Sequence, residues 1–379
     1  MLSRRQYLTR IEQLKQLSTQ EQAWLKEVTG KFPFRCNDYY LSLINWDDPD
    51  DPIRKIIIPD IEELNEWGRL DPSDEKTFTI MPGLEHKYNS TALLLVSNVC
   101  DGICRYCFRK RFFMDLQSNY LRDLPAALEY IKEHSEITNV LLTGGDPLAL
   151  STSKLENIIK GLREIDHVEI IRIGTRIPAF NPHRIINDSA FLDMVEKYSN
   201  DWKTIYIMTH FVHPRELTNV ATKALRLLRK AGAVIANQTP LIRGVNDSPE
   251  ILAELLGTLS YIGVAPYYIF QCRPALGNRV YTVPIEEGYE IFEQTISKVS
   301  GLAKRPRFVL SHSSGKLEIV GMTEEVIYFR FHRAACDEDS GRFMAFRRNP
   351  FAYWFDDYDE LILSDKKHLD WNLRKAENI

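Results

Sequence analysis

The sequence has little cysteine, no long apolar run and no strong excess of charge. Only six of its 379 residues are cysteine, and outside one cluster they are too scattered for a disulfide framework. No apolar run approaches the roughly 20 residues of a membrane-spanning helix, and none follows Met1–Gln6 as a signal peptide requires. The formal net charge of −4 gives no basis for binding nucleic acid or an anionic membrane. These absences predict a soluble globular protein, and the scattered cysteines fit a reducing cytoplasm.

Half of the cysteines lie in one stretch of eight residues. Cys100, Cys104 and Cys107 are spaced C-x3-C-x2-C, and a basic run, Arg109–Arg111, follows them. Thiolates are soft ligands, so the cluster indicates metal binding. Structural zinc needs four ligands, and no fourth Cys or His stands at a fitting spacing. The pattern therefore favours three irons of a [4Fe–4S] cluster, with the fourth iron open, over zinc or a disulfide.

From residue 91 onward, short apolar runs alternate with amphipathic stretches, which indicates repeated β–α units. Predicted strands cover 92–97, 139–143, 168–173, 204–209, 234–238, 267–271 and 308–311, and predicted helices lie near 122–133, 152–164, 188–198, 215–231, 248–260 and 285–299. Such units imply parallel strands with right-handed crossovers. Both an open doubly wound sheet and a full or partial (β/α) barrel fit this pattern. The position of the polar motifs after strand ends favours a partial barrel.

The chain divides into three predicted segments. Residues 1–90 are a helical N-terminal lead-in, with helices expected over 10–28 and 60–67. Residues 91–319 are the α/β core. Residues 320–379 are predicted to be an irregular, charged and aromatic-rich C-terminal extension.

Two motifs with predicted binding roles follow the second and third strands. Gly144 and Gly145 let the backbone approach a ligand closely, and Asp146 could face an ammonium or simply cap a βα turn. Arg172 and Arg176 end the next strand, where they could clamp a carboxylate or phosphate or form surface ion pairs.

Three further motifs follow later strands. His210 and His213 are predicted to line a site rather than to bind a metal. Asn237 and Gln238 offer amides for adenine or a carboxylate, although the same stretch is also typical of a plain helix start. Lys316 follows a hydroxyl-rich turn. If desolvated it could form a Schiff base with pyridoxal phosphate, but pattern alone favours a solvent-facing lysine.

Taken in order, from about Tyr39 to Gly341, these stretches resemble the lysine 2,3-aminomutase family of the radical S-adenosylmethionine (radical SAM) superfamily. The resemblance implies a partial TIM-like barrel of the radical SAM type. It implies an isomerase that moves an amino group from C2 to C3 of a small amino acid through a 5′-deoxyadenosyl radical and a pyridoxal phosphate imine. An electron donor such as flavodoxin or ferredoxin is expected, and a homo-oligomer is possible.

The resemblance also implies roles for individual residues. Cys100, Cys104 and Cys107 hold the [4Fe–4S] cluster, Arg109 meets the substrate α-carboxylate, and Lys316 carries pyridoxal phosphate. Further residues are predicted to bind S-adenosylmethionine or pyridoxal phosphate: Gly144, Gly145, Asp146, Arg176, His210, Asn237 and Gln238.

Three departures from the family pattern bear on substrate, cofactor and assembly. Lysine-specific members hold the substrate ε-ammonium with two aspartates, whose positions here are Arg273 and Ser311. This change inverts the local charge, so lysine is disfavoured and glutamate or another anionic amino acid is favoured. A family arginine directed at the cofactor phosphate is Thr91 here, and Arg176 or Arg273 is expected to compensate. The family's C-terminal cysteine cluster is reduced to Cys336, which leaves the oligomeric state open.

Two other functions remain open from the sequence. A radical SAM enzyme with the same cofactor machinery could act on a different small molecule, or on a protein lysine, without a 1,2-amino shift. A non-catalytic iron–sulfur protein that senses redox state or oxygen is the alternative from another class.

Overall fold

The structure is a computed structural model that describes residues 6–114, 120–200 and 202–365. Strands β1 to β15 are Tyr7–Leu8, Cys36–Asn37, Thr79–Met81, Leu84–Tyr88, Thr91–Ser97, Asn139–Gly144, Ile170–Thr175, Ile205–Thr209, Val234–Leu241, Ala265–Gln271, Arg307–His312, Gly315–Met322, Val326–Ala334, Phe343–Arg347 and Leu361–Ser364. Helices α1 to α12 are Thr19–Lys31, Asp38–Leu41, Pro52–Ile57, Arg111–Met114, Leu124–Glu133, Thr152–Arg163, Ile177–Phe180, His183–Ile186, Ser189–Tyr198, Asn219–Lys230, Pro249–Tyr261 and Ile285–Lys298. Within these described ranges, no helix is both long and apolar enough to span a bilayer.

The described strands β3 to β15 form one sheet in which each strand pairs with its neighbours in chain order. Strands β5 to β11 are all parallel. Antiparallel strands extend the sheet at both edges, β3 and β4 on one side and β12 to β15 on the other. The sheet is not closed. The fold is therefore mixed α/β, with an open, parallel-rich sheet compatible with the predicted partial TIM-like barrel.

The core helices pack on this sheet through amphipathic faces, as the periodicity predicted. In α6, for example, the buried residues are Leu155, Ile158, Ile159 and Leu162, which lie three or four positions apart on one helix face. All seven strands and all six helices predicted for residues 91–319 are present, with ends shifted by a few residues.

The N-terminal lead-in differs from its prediction in two places. The helix expected over 10–28 is divided into a 3-10 helix, Ile11–Gln13, and α1. Ser18 causes the division, because its hydroxyl accepts from the Glu21 N–H at 3.2 Å while its own N–H donates to the Glu21 carboxylate at 2.8 Å. Such a capping box starts a new helix. The helix expected over 60–67 is only a 3-10 turn, Ile61–Leu64.

The expectation of an irregular segment after residue 320 is wrong for the part that the structure describes. β13, β14 and β15 continue the sheet there. In β13 the alternate residues Ile327, Phe329 and Phe331 are buried, as a strand with one face on the core requires. Aromatic and basic residues fill the positions between them, and this obscured the alternation in the sequence. The division into three segments itself stays a prediction.

The lead-in packs against the loop that carries the three cysteines. Ile56 and Tyr106 belong to one buried apolar cluster. The backbone also joins the two segments, since the Arg105 N–H donates to the Ile56 carbonyl and the Ile103 N–H to the Arg35 carbonyl, both at 2.9 Å. The lead-in therefore fixes the position of the cysteine loop.

Candidate functional site

A cavity of about 320 Å³ is lined by residues of β4 to β13 and of the loops that follow several of these strands. It brings together most of the residues that the sequence predicted as site residues: Cys100, Cys104, Cys107, Arg109, Gly144, Gly145, Asp146, Arg176, His210, Gln238, Arg273, Ser311 and Lys316. These residues come from distant parts of the chain, and the parallel topology explains why they meet, because the ends of successive parallel strands lie along one edge of a sheet.

Asn237 and His213 do not line this cavity. Asn237 is buried, and its amide ties β9 to the turn after β8, accepting from the Phe211 N–H at 2.8 Å and donating to the Phe211 carbonyl at 3.0 Å. Side chains alternate along a strand, so Gln238 faces the cavity while Asn237 faces away. His213 instead caps a short 3-10 helix by accepting from the Arg215 N–H at 3.2 Å.

Cys100, Cys104 and Cys107 are free thiols on one wall of the cavity. In the described parts of the chain, no three His, Cys, Asp or Glu side chains converge closely enough to hold a single ion. Three free thiols in one cavity wall match the number of protein ligands that hold a [4Fe–4S] cluster with one open iron. The Nη1 of Arg176 lies 3.1 Å from the Cys104 sulfur, as expected of a residue that hydrogen bonds to a cluster ligand.

A buried ion pair anchors the cysteine loop. Arg105, directly after Cys104, donates to both carboxylate oxygens of Glu63 at 2.9 and 2.8 Å. Both side chains are almost fully buried. Lys110 lies 3.2 Å from the same carboxylate, and the Tyr281 hydroxyl donates to it at 2.9 Å. Sequence reasoning missed Glu63, because nothing in its local pattern indicates a partner 42 residues away.

The glycines after β6 are needed for contact with the cysteine loop. Gly144 has φ of +110°, and a Cβ added there would lie 2.5 Å from the Ser97 carbonyl oxygen. A Cβ on Gly145 would lie 2.6 Å from the Val99 carbonyl oxygen. The Gly145 N–H donates to Ser97 at 2.6 Å and the Asp146 N–H to Val99 at 2.8 Å. The double glycine thus lets this turn pack on the backbone just before the first cysteine.

Asp146 is bound within the protein. Its carboxylate accepts from the Thr175 hydroxyl at 2.7 Å, from the Arg176 N–H at 2.7 Å and from the Leu148 N–H at 3.0 Å. Burial raises the pKa of Asp146 to about 6, although these hydrogen bonds oppose the rise. The carboxylate therefore joins the ends of β6 and β7.

Arg109 is held by a carboxylate from the lead-in. Glu75 accepts from its Nε at 2.9 Å and lies 2.7 Å from its Nη2. The remaining Nη1 donates to the Thr143 hydroxyl in the cavity wall at 3.1 Å. Arg111 also pairs with Glu75. Burial alone would raise the pKa of Glu75, but Arg109, Arg111 and the more distant Arg273 outweigh it and lower that pKa to about 2.

Arg273 has no carboxylate within ion-pair distance among the described residues. Its guanidinium stacks 3.7 Å from the centre of the Phe108 ring and donates to the Ser73 hydroxyl at 2.6 Å. Burial lowers its pKa to about 10, against the opposing charge of Glu75, and nearby Arg109 adds to the lowering. This half-buried residue presents a positive charge to the cavity.

Lys316 lies near the start of β12, directly across the hairpin from Ser311 in β11. Its ammonium lies 4.9 Å from the centre of the Tyr268 ring. Burial lowers the pKa of Lys316 to about 7, and four neighbouring cations act in the same direction: Arg172, Arg333, Arg273 and Lys87. The sequence pattern alone favoured a solvent-facing lysine at this position, and that expectation is wrong. The amine lines the cavity with a depressed pKa.

The guanidinium beside Thr91 belongs to Arg333, which sequence reasoning did not consider. Arg333 donates to the Thr91 hydroxyl at 2.8 Å and to the Ser90 hydroxyl at 2.9 Å. The two residues expected to compensate at this position are engaged elsewhere, since Arg176 pairs with Glu216 and Arg273 binds the Ser73 hydroxyl.

His210 supplies an unsatisfied polar atom. Its ring lines the cavity, and its buried Nε2 has no hydrogen-bond partner in the described structure. A buried polar atom is normally paired, so this nitrogen fits a site that receives a polar ligand. The three thiols fit the cluster. The cavity as a whole, which includes the Arg273 guanidinium and the Lys316 amine of lowered pKa, fits S-adenosylmethionine and pyridoxal phosphate.

Comparison with known proteins agrees with this site. Residues 94–256 match the family model of the radical SAM superfamily. The chain is 52% identical over 364 residues to a putative L-lysine 2,3-aminomutase of Aquifex aeolicus (strain VF5), covering 96% of this chain and 97% of the relative. It is 39% identical to the L-lysine 2,3-aminomutase of Clostridium subterminale, covering 80% of this chain and 73% of the relative. It is 35% identical to the glutamate 2,3-aminomutase of Clostridioides difficile (strain 630), covering 79% of this chain and 70% of the relative.

These relatives are isomerases. Radical SAM enzymes use a [4Fe–4S] cluster and S-adenosylmethionine, and lysine 2,3-aminomutases also use pyridoxal phosphate. The predicted family, enzyme class and cofactors are thereby confirmed. The matched segment includes all three cysteines, the double glycine and Arg176, so the cavity and the sequence similarity coincide. The chain belongs to the lysine 2,3-aminomutase family of radical SAM enzymes.

Proposed function

We propose that this protein is a 2,3-aminomutase for a small amino acid with an anionic side chain, with glutamate as the first candidate. The observation that carries the proposal is Arg273, a half-buried guanidinium that lines the cavity and has no described carboxylate within ion-pair distance. Glu75 acts on this guanidinium from a distance but is already paired with Arg109 and Arg111. A substrate carboxylate would supply a direct partner with charge-assisted hydrogen bonds.

The described cavity wall offers no free carboxylate for an ammonium tail. Asp146 is its single carboxylate, and three protein donors already occupy it. Glu75, behind the wall, is paired with both Arg109 and Arg111. Lysine bound here would place its ε-ammonium near the Arg273 guanidinium and Ser311 without a free carboxylate to pair with, which is unfavourable.

Bound together, S-adenosylmethionine and the cluster supply the hydrogen-abstracting radical, and pyridoxal phosphate holds the substrate amine. Cys100, Cys104 and Cys107 would ligate the cluster. The remaining residues predicted to bind S-adenosylmethionine or pyridoxal phosphate are those on the adjoining walls: Gly144, Gly145, Asp146, Arg176, His210 and Gln238. Asn237 is left out of this set, because it does not face the cavity.

Arg109 and Lys316 have distinct roles in this proposal. Arg109 would bind the substrate α-carboxylate through the nitrogen now bonded to Thr143, while Glu75 keeps the guanidinium in place. Lys316 would attach the cofactor between turnovers, and its depressed pKa keeps the amine largely unprotonated above about pH 7. Arg273, with Ser311, would bind the far end of the substrate.

The proposal also includes an electron donor, a cellular compartment and an assembly state. The cluster requires a one-electron donor, for which a flavodoxin or ferredoxin is the expected class. It also requires a reducing cytoplasm. A homo-oligomer is possible.

The test is anaerobic reconstitution with iron, sulfide and pyridoxal phosphate, followed by a screen of α-amino acids for β-isomers in the presence of S-adenosylmethionine and dithionite as the one-electron reductant. Glutamate or another anionic amino acid should be isomerised and lysine should not. Arg273→Asp should abolish that turnover, whereas Arg273→Lys should retain part of it. Arg279→Gln is the matched control, since Arg279 does not line the cavity and instead donates to the Tyr353 hydroxyl at 2.7 Å.

Two outcomes would contradict the proposal. Lysine turnover at the rate of an anionic substrate would remove the charge argument. Cleavage of S-adenosylmethionine with no β-isomer from any amino acid would favour a radical enzyme that acts without a 1,2-amino shift.

A further inference from the structure

Two groups of cations face the cavity, and the proposed function uses only one of them. Arg109 and Arg273 lie near each other and near Glu75. Arg172 and Arg333 form the second group, since each is an electrostatic neighbour of Tyr267 and Tyr268, and Arg333 also acts on Arg172. Lys316 is influenced by members of both groups.

Arg333 is placed beside Lys316 by the sheet itself. The two residues are direct register partners in the antiparallel pair β12–β13, so their side chains lie on the same face. From there Arg333 reaches across the open side of the sheet to the start of β5, where Ser90 and Thr91 accept its hydrogen bonds. Its guanidinium also lies 4.3 Å from the centre of the Tyr88 ring.

Neither member of this group has a carboxylate within ion-pair distance among the described residues. The hydrogen-bond partners of Arg333 are hydroxyls, and the Nε of Arg172 donates to the Asn139 side-chain oxygen at 2.8 Å. The described cavity wall therefore holds two neighbouring guanidinium groups with neutral partners, beside a lysine of depressed pKa. A dianion with several acceptor oxygens is the chemical group that such a pair satisfies best.

We infer that Arg333, with Arg172 beside it, binds the phosphate of pyridoxal phosphate and takes the place of the arginine that the family has at Thr91. The inference rests on the proposed attachment of the cofactor to Lys316. The small hydroxyl of Thr91 leaves room for the Arg333 guanidinium, so the positive charge is supplied from β13 and not from β5.

The test compares cofactors with and without a phosphate. Apo-protein lacking the iron–sulfur cluster is titrated with pyridoxal phosphate and, separately, with pyridoxal. Binding is followed by the change in cofactor absorbance and by borohydride trapping on Lys316, located by peptide mass spectrometry. Arg333→Gln should weaken pyridoxal phosphate binding about tenfold or more while leaving pyridoxal binding nearly unchanged. Arg333→Lys should recover part of the loss.

Arg330→Gln is the matched control, because Arg330 lies on the same strand but pairs with Glu318 at 2.7 Å and does not line the cavity. Thermal unfolding of each variant separates a loss of binding from a loss of folding. Equal losses for both cofactors, or no loss for Arg333→Gln, would overturn the inference and leave the proposed function standing. A wild-type protein that traps neither cofactor on Lys316 would overturn both.

Discussion

Arg105 and Glu63 form a buried two-point ion pair directly beside the second cysteine of the loop. The carboxylate comes from the lead-in and the guanidinium from the cysteine loop, so the pair joins two segments that lie far apart in sequence. Because Arg105 directly follows Cys104, this ion pair holds Cys104 in position.

Removing that carboxylate should release the loop. Glu63→Gln leaves Arg105 and Lys110 buried without their counter-charge, and breaking a buried pair in this way costs about 3–5 kcal/mol. We expect a lower melting temperature and less iron per chain after reconstitution. Glu62→Gln, at the exposed neighbouring position, is the control. A Glu63→Gln protein that melts and binds iron like the wild type would show that the pair does not hold the loop.

A methyl group at Gly145 should disturb the same loop from the other side. Gly145→Ala would place a Cβ 2.6 Å from the Val99 carbonyl oxygen, and backbone there cannot move without shifting Cys100. We expect a reduced iron content, measured after reconstitution. Gly257→Ala in α11 is the control, since a Cβ there meets nothing within 4 Å. Full iron content in Gly145→Ala would contradict the packing role of this glycine.

Lys316 should react as a neutral amine near neutral pH. Burial and the neighbouring cations both disfavour its ammonium form, which places the pKa near 7 and not at the ordinary 10.5. In apo-protein, labelling of Lys316 by an amine-directed reagent should be half-maximal near pH 7, as measured by peptide mass spectrometry. Arg172→Gln removes one of the like charges, so it should raise that midpoint. A midpoint near 10.5 in the wild type would refute the depressed pKa.

Glu85 should make stability depend on pH. Burial, with nearby Glu75, raises its pKa from 4.5 to about 8 in the folded protein. A carboxyl whose pKa is raised on folding contributes its full stability below the unfolded pKa and loses it as pH rises through the folded one. Relative to Glu85→Gln, the wild type should therefore lose on the order of 3 kcal/mol between about pH 5 and pH 8, measured by denaturant unfolding. Exposed Glu129→Gln should follow the wild type, and a Glu85→Gln protein that does so as well would contradict the assignment.

The sequence alone was enough to predict the core elements and the family of this protein. The apolar periodicity of residues 91–319 predicted the strands and helices of the core, because burial of one face is a local requirement of each element. The spacing of Cys100, Cys104 and Cys107 and the order of the later motifs indicated the family. The charge of Arg273 pointed to the substrate class, which stays a prediction.

Only the tertiary structure decided which charges face one another. Nothing local in the sequence pairs Glu63 with Arg105, brings Arg333 to Thr91, or turns Asn237 away from the cavity. These relationships depend on the register between strands and on contacts between segments distant in the chain. For the same reason, the residues next to Lys316 in the sequence could not predict its lowered pKa. That pKa arises from burial and from cations that the folded sheet brings around the amine.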